Sequence, residues 1–182
     1  MARMVSMYDI VGVEFNASCP NSEKVKMADP EFIRKACVKI KEAAPQVPLG
    51  IKFGPISGLP ALVKAAEPFV EFVQINSVPW ANIFPGRPSP LKRYGGGGVS
   101  GKIAQRVTWQ LYDTLSALTT RPVVAPSVWT YDDLSALDTK GAQAVSFGSV
   151  FLRHPTRPTS IVRLRQQADA LTRKEHSYAT SR

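Results

Sequence analysis

The sequence predicts an α/β fold built on a parallel sheet, and three observations carry that expectation. Apolar strand-like runs alternate with helix-like segments five times along the 182 residues, the pattern of repeated strand–crossover–strand units with right-handed connections. The strand-like runs are apolar on both faces, as strands covered by helices are. The polar and glycine-rich positions fall just after each strand, where a (β/α) barrel or a doubly wound sheet gathers its ligand-binding groups.

The elements follow in order. "YDIVGVEFN" (residues 8–16) is a first strand, rich in Val and Ile. After a loop, "DPEFIRKACVKIKEAAP" opens with Asp29 as N-cap and Pro30 at the first helical position. Phe32, Ile33, Ala36, Cys37 and Ile40 then recur at helical spacing. "VPLGIKF" is a second strand, and "SGLPALVKAAEPF" a short helix whose Pro60 sits in the first turn. "VEFVQINSV" is a third strand. Residues 79–98, rich in Pro and Gly and without periodicity, read as a long loop, a length often tied to function. "SGKIAQRVTWQLYDTLSALTT" is a helix with Ser100 as its cap, and "RPVVAPSV" a fourth strand. "TYDDLSALDTKG" is a helix closed by Gly141, "AQAVSFGSV" a fifth strand, and "TSIVRLRQQADALTRK" a final helix. Residues 1–173 are therefore expected to form one partial barrel-type domain, and 174–182 a disordered basic tail.

Composition bounds the function. With 44% hydrophobic and 20% charged residues the chain is an ordinary globular one. No apolar run reaches the roughly eighteen residues of a membrane span, and "MARMVSMYDIVG" lacks the uninterrupted apolar region of a secretory signal. Cys19 and Cys37 are too few for a disulfide framework, so the expected setting is the reducing cytoplasm. His154 and His176 stand alone, and no metal site is expected. The net charge of +9 is spread along the chain, with much of it near the C-terminus, which points to a solvated helix face and tail and at most non-specific, salt-sensitive binding to polyanions. No specific nucleic-acid partner is expected.

The strand ends hold the candidate chemistry. Cys37, between Ile33 and Ile40, is a small core hydrophobe. Cys19, in the polar loop "NASCPN", is an inert loop thiol, a proton-transfer group or a nucleophile. No histidine lies nearby in sequence to activate it. Asn16, Asn21 and Asn76 each carry a donor and an acceptor. Any one of them suits an Asx turn, but three on one face favour a planar, amide-rich ligand. Lys52 ends an otherwise apolar strand. It is either a surface lysine with a snorkelling stem or the partner of an anion or an electron-rich ligand. The glycine run in "YGGGGVSGK" either cradles phosphate with its amides or is simply a flexible loop.

Together these motifs resemble the class 1 dihydroorotate dehydrogenases, FMN-dependent enzymes of the (β/α)8 TIM-barrel family. "NASCPN" is similar to their N-x-S-C-P-N loop, "PLGIKF" to their fifth-strand lysine motif, and "INSV" to their sixth-strand N-S/T motif. "YGGGGVSGKI" resembles their G-G-x-S-G loop and "KGAQAVSFGSVFL" their last strand. The resemblance covers residues 8–170. It implies oxidation of dihydroorotate to orotate in pyrimidine biosynthesis, with Cys19 as the base that takes a proton from C5 while hydride passes from C6 to the flavin. Asn16, Asn21, Asn76 and Ser77 would bind the pyrimidine, and Lys52 would lie beside the flavin ring. Gly97, Gly98, Ser127, Gly148 and Ser149 would contact the rest of the FMN.

Two departures from the family stand out. Its members reach the cysteine loop only after three further strands, whereas here it begins at residue 16. The resemblance thus implies about five of the eight βα units of a closed barrel. That reads as an incomplete gene product, one half of a split enzyme or a remnant, with open sheet edges that a partner chain pairs or covers. A homo- or hetero-oligomer is expected, and a non-catalytic half barrel is the alternative reading, with a basic binding module a further one. Secondly, Pro126 and Ser127 stand where the family places the Gly-Gly pair that holds the FMN phosphate. Proline has no N–H to offer, so Ser127 alone would supply an amide and a hydroxyl.

Overall fold

The computed structural model describes residues 10–17, 29–94 and 96–180. Five parallel strands form one sheet: β1 (Val13–Asn16), β2 (Leu49–Phe53), β3 (Phe72–Ile75), β6 (Val123–Ala125) and β7 (Ala144–Val145), in that spatial order. Two further strands, β4 (Val78–Pro79) and β5 (Gly98–Val99), form a separate antiparallel pair. Strand order equal to chain order is the arrangement of a barrel arc. A doubly wound sheet reverses its order midway. Among the described residues β1 and β7 stand at the two edges and no barrel closes. The result is an α/β fold whose parallel sheet fits part of a barrel.

Each crossover carries a helix whose ends are written in the sequence. Helix α1 (Pro30–Ala43) is capped by Asp29, whose carboxylate accepts from the Glu31 amide at 3.0 Å, with Pro30 in its first turn. Helix α2 (Leu59–Ala66) likewise has Pro60 in its first turn. Helix α3 (Trp80–Ile83) follows β4 directly, and α4 (Gln105–Leu118) precedes β6. Helix α5 (Tyr131–Thr139) starts with a capping box between Thr130 and Asp133. It ends as a Schellman motif: Ala142 donates to Leu137 and Gly141, at φ 80°, donates to Asp138. Helix α6 (Val150–Arg153) leads into α7 (Arg157–Thr180).

Strand register sorts the side chains onto two faces. Phe15, Ile51, Val73 and Val123 lie in one row, and Phe53 pairs with Ile75 in the next. This face packs against Ile33, Cys37, Leu62, Leu111, Leu115, Leu134, Leu137 and Ile161 in one continuous core. Phe53, Ile51, Leu62 and Leu115 are fully buried, each contributing about 1.5–3 kcal/mol by transfer from water. The opposite face carries Glu14, Asn16, Gly50, Lys52, Phe72, Gln74, Val124 and Ala144, by the period of two. Gly50 leaves room there for the Phe72 ring: a Cβ at this position would lie 2.1 Å from the ring, which would have to shift.

Several expectations are corrected. Residues 79–98 are not an unstructured loop. Val78 pairs with Val99 and Pro79 with Gly98, Trp80 and Phe84 stack with ring centroids 4.3 Å apart, and the Trp80 indole donates to the Arg87 carbonyl at 2.9 Å. Local aromatic and hydrogen-bond contacts replace the missing periodicity. Ser100 does not cap a helix: a tight turn over Lys102–Ala104 comes first, and α4 starts at Gln105. The strands are shorter than the apolar runs that announce them, with β7 only two residues long. The first strand is only half covered, since Val13 and Phe15 are partly buried while Glu14 and Asn16 are exposed. Helix α7 continues through residues 174–180, which were expected as a tail. No described helix is long and apolar enough to cross a membrane.

Candidate functional site

Because all five strands run parallel, their C-terminal ends meet on one side. There a cavity of about 220 Å³ opens, lined from β2 by Lys52, from β3 by Gln74, Asn76 and Ser77, and from the segments after β6 and β7 by Ser127, Trp129, Gly148 and Ser149. Ser100, Gly101 and Thr108 also stand in its wall. The sequence places Lys52, Asn76, Ser77, Ser127, Gly148 and Ser149 at strand ends, and the fold brings those six to one hollow.

Lys52 meets an anion from its own chain. Its ammonium lies 2.6 Å from the Glu14 carboxylate across β1 and β2, with the two side chains 24% and 29% exposed. Glu14 reaches it along the polar face because the residue opposite Glu14 is Gly50, which has no side chain. The signal for Glu14 was present: in "VEFN" it stands two residues before Asn16 and so shares its face.

The Asn76 carboxamide donates to the Asn16 side chain at 3.4 Å, and its oxygen accepts from the Ser77 amide at 2.8 Å. The carboxamides of β1 and β3 are thereby brought together across the end of β2. Asn16 stands beside the cavity rather than in its wall. Gly98 packs directly on Ser77, where a Cβ would fall 2.2 Å from the Ser77 hydroxyl. Gly97, at φ 72°, backs onto Leu91 and accepts the Trp80 amide. Gly98 thus holds the β4–β5 arm against the end of β3, and neither glycine stands in the cavity wall. Cys19 and Asn21 lie outside the described residues.

The Pro126–Ser127 corner shows what its sequence costs. Ser127 has φ 64°, in the left-handed region that disfavours a Cβ, so the backbone keeps a glycine-like turn without the glycine. Its hydroxyl lies 3.1 Å from that of Thr108, and its carbonyl accepts from the Gln105 side chain at 2.8 Å. Trp109 donates its indole N–H to the Pro126 carbonyl at 3.0 Å. The N-terminal half of α4 thus clamps the corner.

Asp133 ties the far wall together. It accepts from the amides of Trp129 and Thr130 at 2.9 and 3.0 Å and pairs with Lys102 at 3.0 Å. Burial pushes its carboxyl up, but the Lys102 ammonium and the Trp129 amide outweigh it and hold the carboxyl below its usual range. Gly101, at φ 94°, admits the Trp129 ring, which lies 3.2 Å from where a Cβ would stand. Cys37, by contrast, is buried in the core, where desolvation pushes its thiol up to about 11. That is an inert thiol. No cluster with metal-ligand character occurs among the described residues.

Gln74 and Glu14 are the polar groups that sequence reasoning passed over. Gln74 sits inside "VEFVQINSV", and the period of two places it on the face of Lys52, its register partner.

No protein-family model matches the chain. It is 28% identical over 167 residues to the dihydroorotate dehydrogenase A (fumarate) of Lactiplantibacillus plantarum, an alignment covering 88% of this chain and 54% of that protein. The chain spans about half the length of the curated relative it matches. The likeness supports a relationship to dihydroorotate dehydrogenases and, more broadly, to oxidoreductases.

Proposed function

We propose that this chain carries the catalytic half of an FMN-dependent dihydroorotate dehydrogenase-type site, acting in pyrimidine biosynthesis in the cytoplasm. The observation that supports it is the convergence of Lys52, Asn76, Ser77, Ser127, Gly148 and Ser149 on one cavity at the strand ends. The motifs carrying Lys52, Asn76, Ser77, Gly148 and Ser149 resemble those of the dihydroorotate dehydrogenases, whereas Pro126–Ser127 departs from them.

The residues present fit part of the flavin. Ser100, Ser127 and Ser149 line the cavity, and Gly148 leaves open space where a side chain would stand. These are neutral donors of the kind that hold a polyol and a phosphate. The cavity of about 220 Å³ is smaller than the roughly 300–1,000 Å³ of pockets that enclose whole ligands, which suits the ribityl–phosphate portion. Lys52 then faces the ring end. FMN, when bound, supplies the acceptor of the hydride leaving C6 of dihydroorotate.

The remaining roles belong to the chain. Cys19 accepts the proton from C5, in the class 1 manner. Asn16, Asn21, Asn76 and Ser77 orient the pyrimidine by paired donor and acceptor contacts. Lys52 presents positive charge where electron density grows, and Glu14 holds its ammonium in place and moderates that charge. A partner chain or a second copy would cover the β1 edge in an oligomer.

Substituting Cys19→Ala tests the assignment. Flavin reduction by dihydroorotate should fall at least a hundredfold, the scale of a lost general base at about 10²–10⁴, while flavin content stays unchanged. Equal loss of flavin and activity would make the loop a structural element and remove Cys19 as the base.

A further inference from the structure

Gln74 has no part in the proposal above, yet its placement calls for one. Strand register puts Asn16, Lys52, Gln74, Val124 and Ala144 in a single row across the polar face of the sheet. Lys52, on one side of Gln74, is turned to Glu14 at 2.6 Å. Val124, on the other, has no polar atom to offer. The Gln74 side-chain oxygen is consequently buried without a hydrogen-bond partner, although the residue lines the cavity beside Lys52 and Asn76.

Native structures leave few such atoms unsatisfied, and each one calls for an explanation, a bound ligand group among them. The terminal torsion of a glutamine is broad and soft. A small rotation therefore brings the oxygen or the amide of Gln74 to the cavity wall. A ligand presenting a donor beside an acceptor would satisfy both ends of the carboxamide at once.

We infer that Gln74 is a ligand-binding residue whose carboxamide reads the lactam edge, an N–H next to a C=O, of a planar heterocycle lying against Lys52. The inference rests on the flavin and pyrimidine reading of the cavity and adds a specificity contact to it. Both the flavin ring and the pyrimidine carry such an edge, so the probes must separate them.

The test is a fluorescence titration of the full chain and of Gln74→Leu with FMN, N3-methyl-FMN, orotate and N3-methyl-orotate. Thermal melts of the unliganded proteins accompany it. Removing the carboxamide's two hydrogen bonds should weaken binding of the unmethylated probe roughly five- to a hundredfold. The variant should then no longer distinguish that probe from its methylated form. Its melting temperature should equal or exceed the parent's, because an unsatisfied polar atom has gone. Gln74→Glu, which keeps the shape and loses the N–H donors, should also bind less tightly. If orotate shows the effect while FMN does not bind, the Gln74 assignment stands and the flavin reading falls. If FMN binds parent and variant alike and both discriminate against the methylated form, the assignment falls and the flavin reading stands. Failure of the parent to bind any of the four probes overturns both.

Discussion

Ser127 offers the sharpest test of how the cavity wall is built. Its φ of 64° forces a Cβ into the left-handed region, at about 1–2 kcal/mol. Its hydroxyl contact with Thr108 at 3.1 Å contributes about 1 kcal/mol. Thr108 keeps a second bond, to the Gln105 carbonyl at 3.0 Å, so losing Ser127 does not orphan it. Ser127→Ala retains the strain and loses the contact, for a net cost of about 1 kcal/mol. Ser127→Gly loses the same contact and about 0.5–1 kcal/mol of chain entropy, but recovers about 1.5 kcal/mol of strain. The two largely cancel. Glycine should thus leave stability within about 0.5 kcal/mol of the parent, whereas alanine lowers the melting temperature by about 2–4 °C. Urea denaturation of the three proteins measures the order. At an ordinary position alanine is the more stable by about 0.5–1 kcal/mol, so the expected order is inverted. Finding Ser127→Ala more stable than Ser127→Gly would refute a strained corner.

Two further perturbations probe the same architecture. Gly50→Ala should destabilise the chain by about 1–3 kcal/mol through overpacking, because the added Cβ meets the Phe72 ring at 2.1 Å. Combination with Phe72→Leu should recover most of the loss, and a chemical denaturation series in which the second change brings no rescue would contradict the register. Asp133 should contribute acid sensitivity. Its carboxyl is held below the usual range, burial opposing and the Lys102 and Trp129 contacts prevailing, so the folded state favours the ionised form. That stabilisation is fully present above the unfolded carboxyl value, near pH 4, and is lost as pH falls through the lower folded value. Melting curves of parent and Asp133→Asn should therefore converge on acidification. A gap that stays constant below pH 4 would rule out the linkage.

Much of this organisation was legible in the chain. Asp29, Pro30, Pro60 and Gly141 mark helix ends by local chemistry, and local chemistry is what short windows of sequence contain. Cys37 declared itself by its spacing between Ile33 and Ile40. Strand ends were harder. "AQAVSFGSV" is apolar well beyond the two residues that pair, because apolar character reports burial and not ladder hydrogen bonds. Residues 79–98 lacked any period, since their order rests on the Trp80–Phe84 stack and on the pairing of Pro79 with Gly98, contacts that no periodicity encodes. At the site, Lys52, Asn76 and Ser77 stood out as polar residues at a strand end. Gln74 did not, since one polar residue within an apolar strand is conspicuous only once the face it occupies is known. The Lys52–Glu14 pair joins positions 38 residues apart, and only the β1–β2 register brings them together.

The most direct test of the flavoprotein proposal is the visible absorption spectrum of the purified chain with FMN added, followed by dihydroorotate in the absence of oxygen. The account predicts a bound-flavin spectrum that bleaches on addition of dihydroorotate. A protein that stays colourless and takes up no FMN, or a bound flavin that dihydroorotate leaves oxidised, would contradict it.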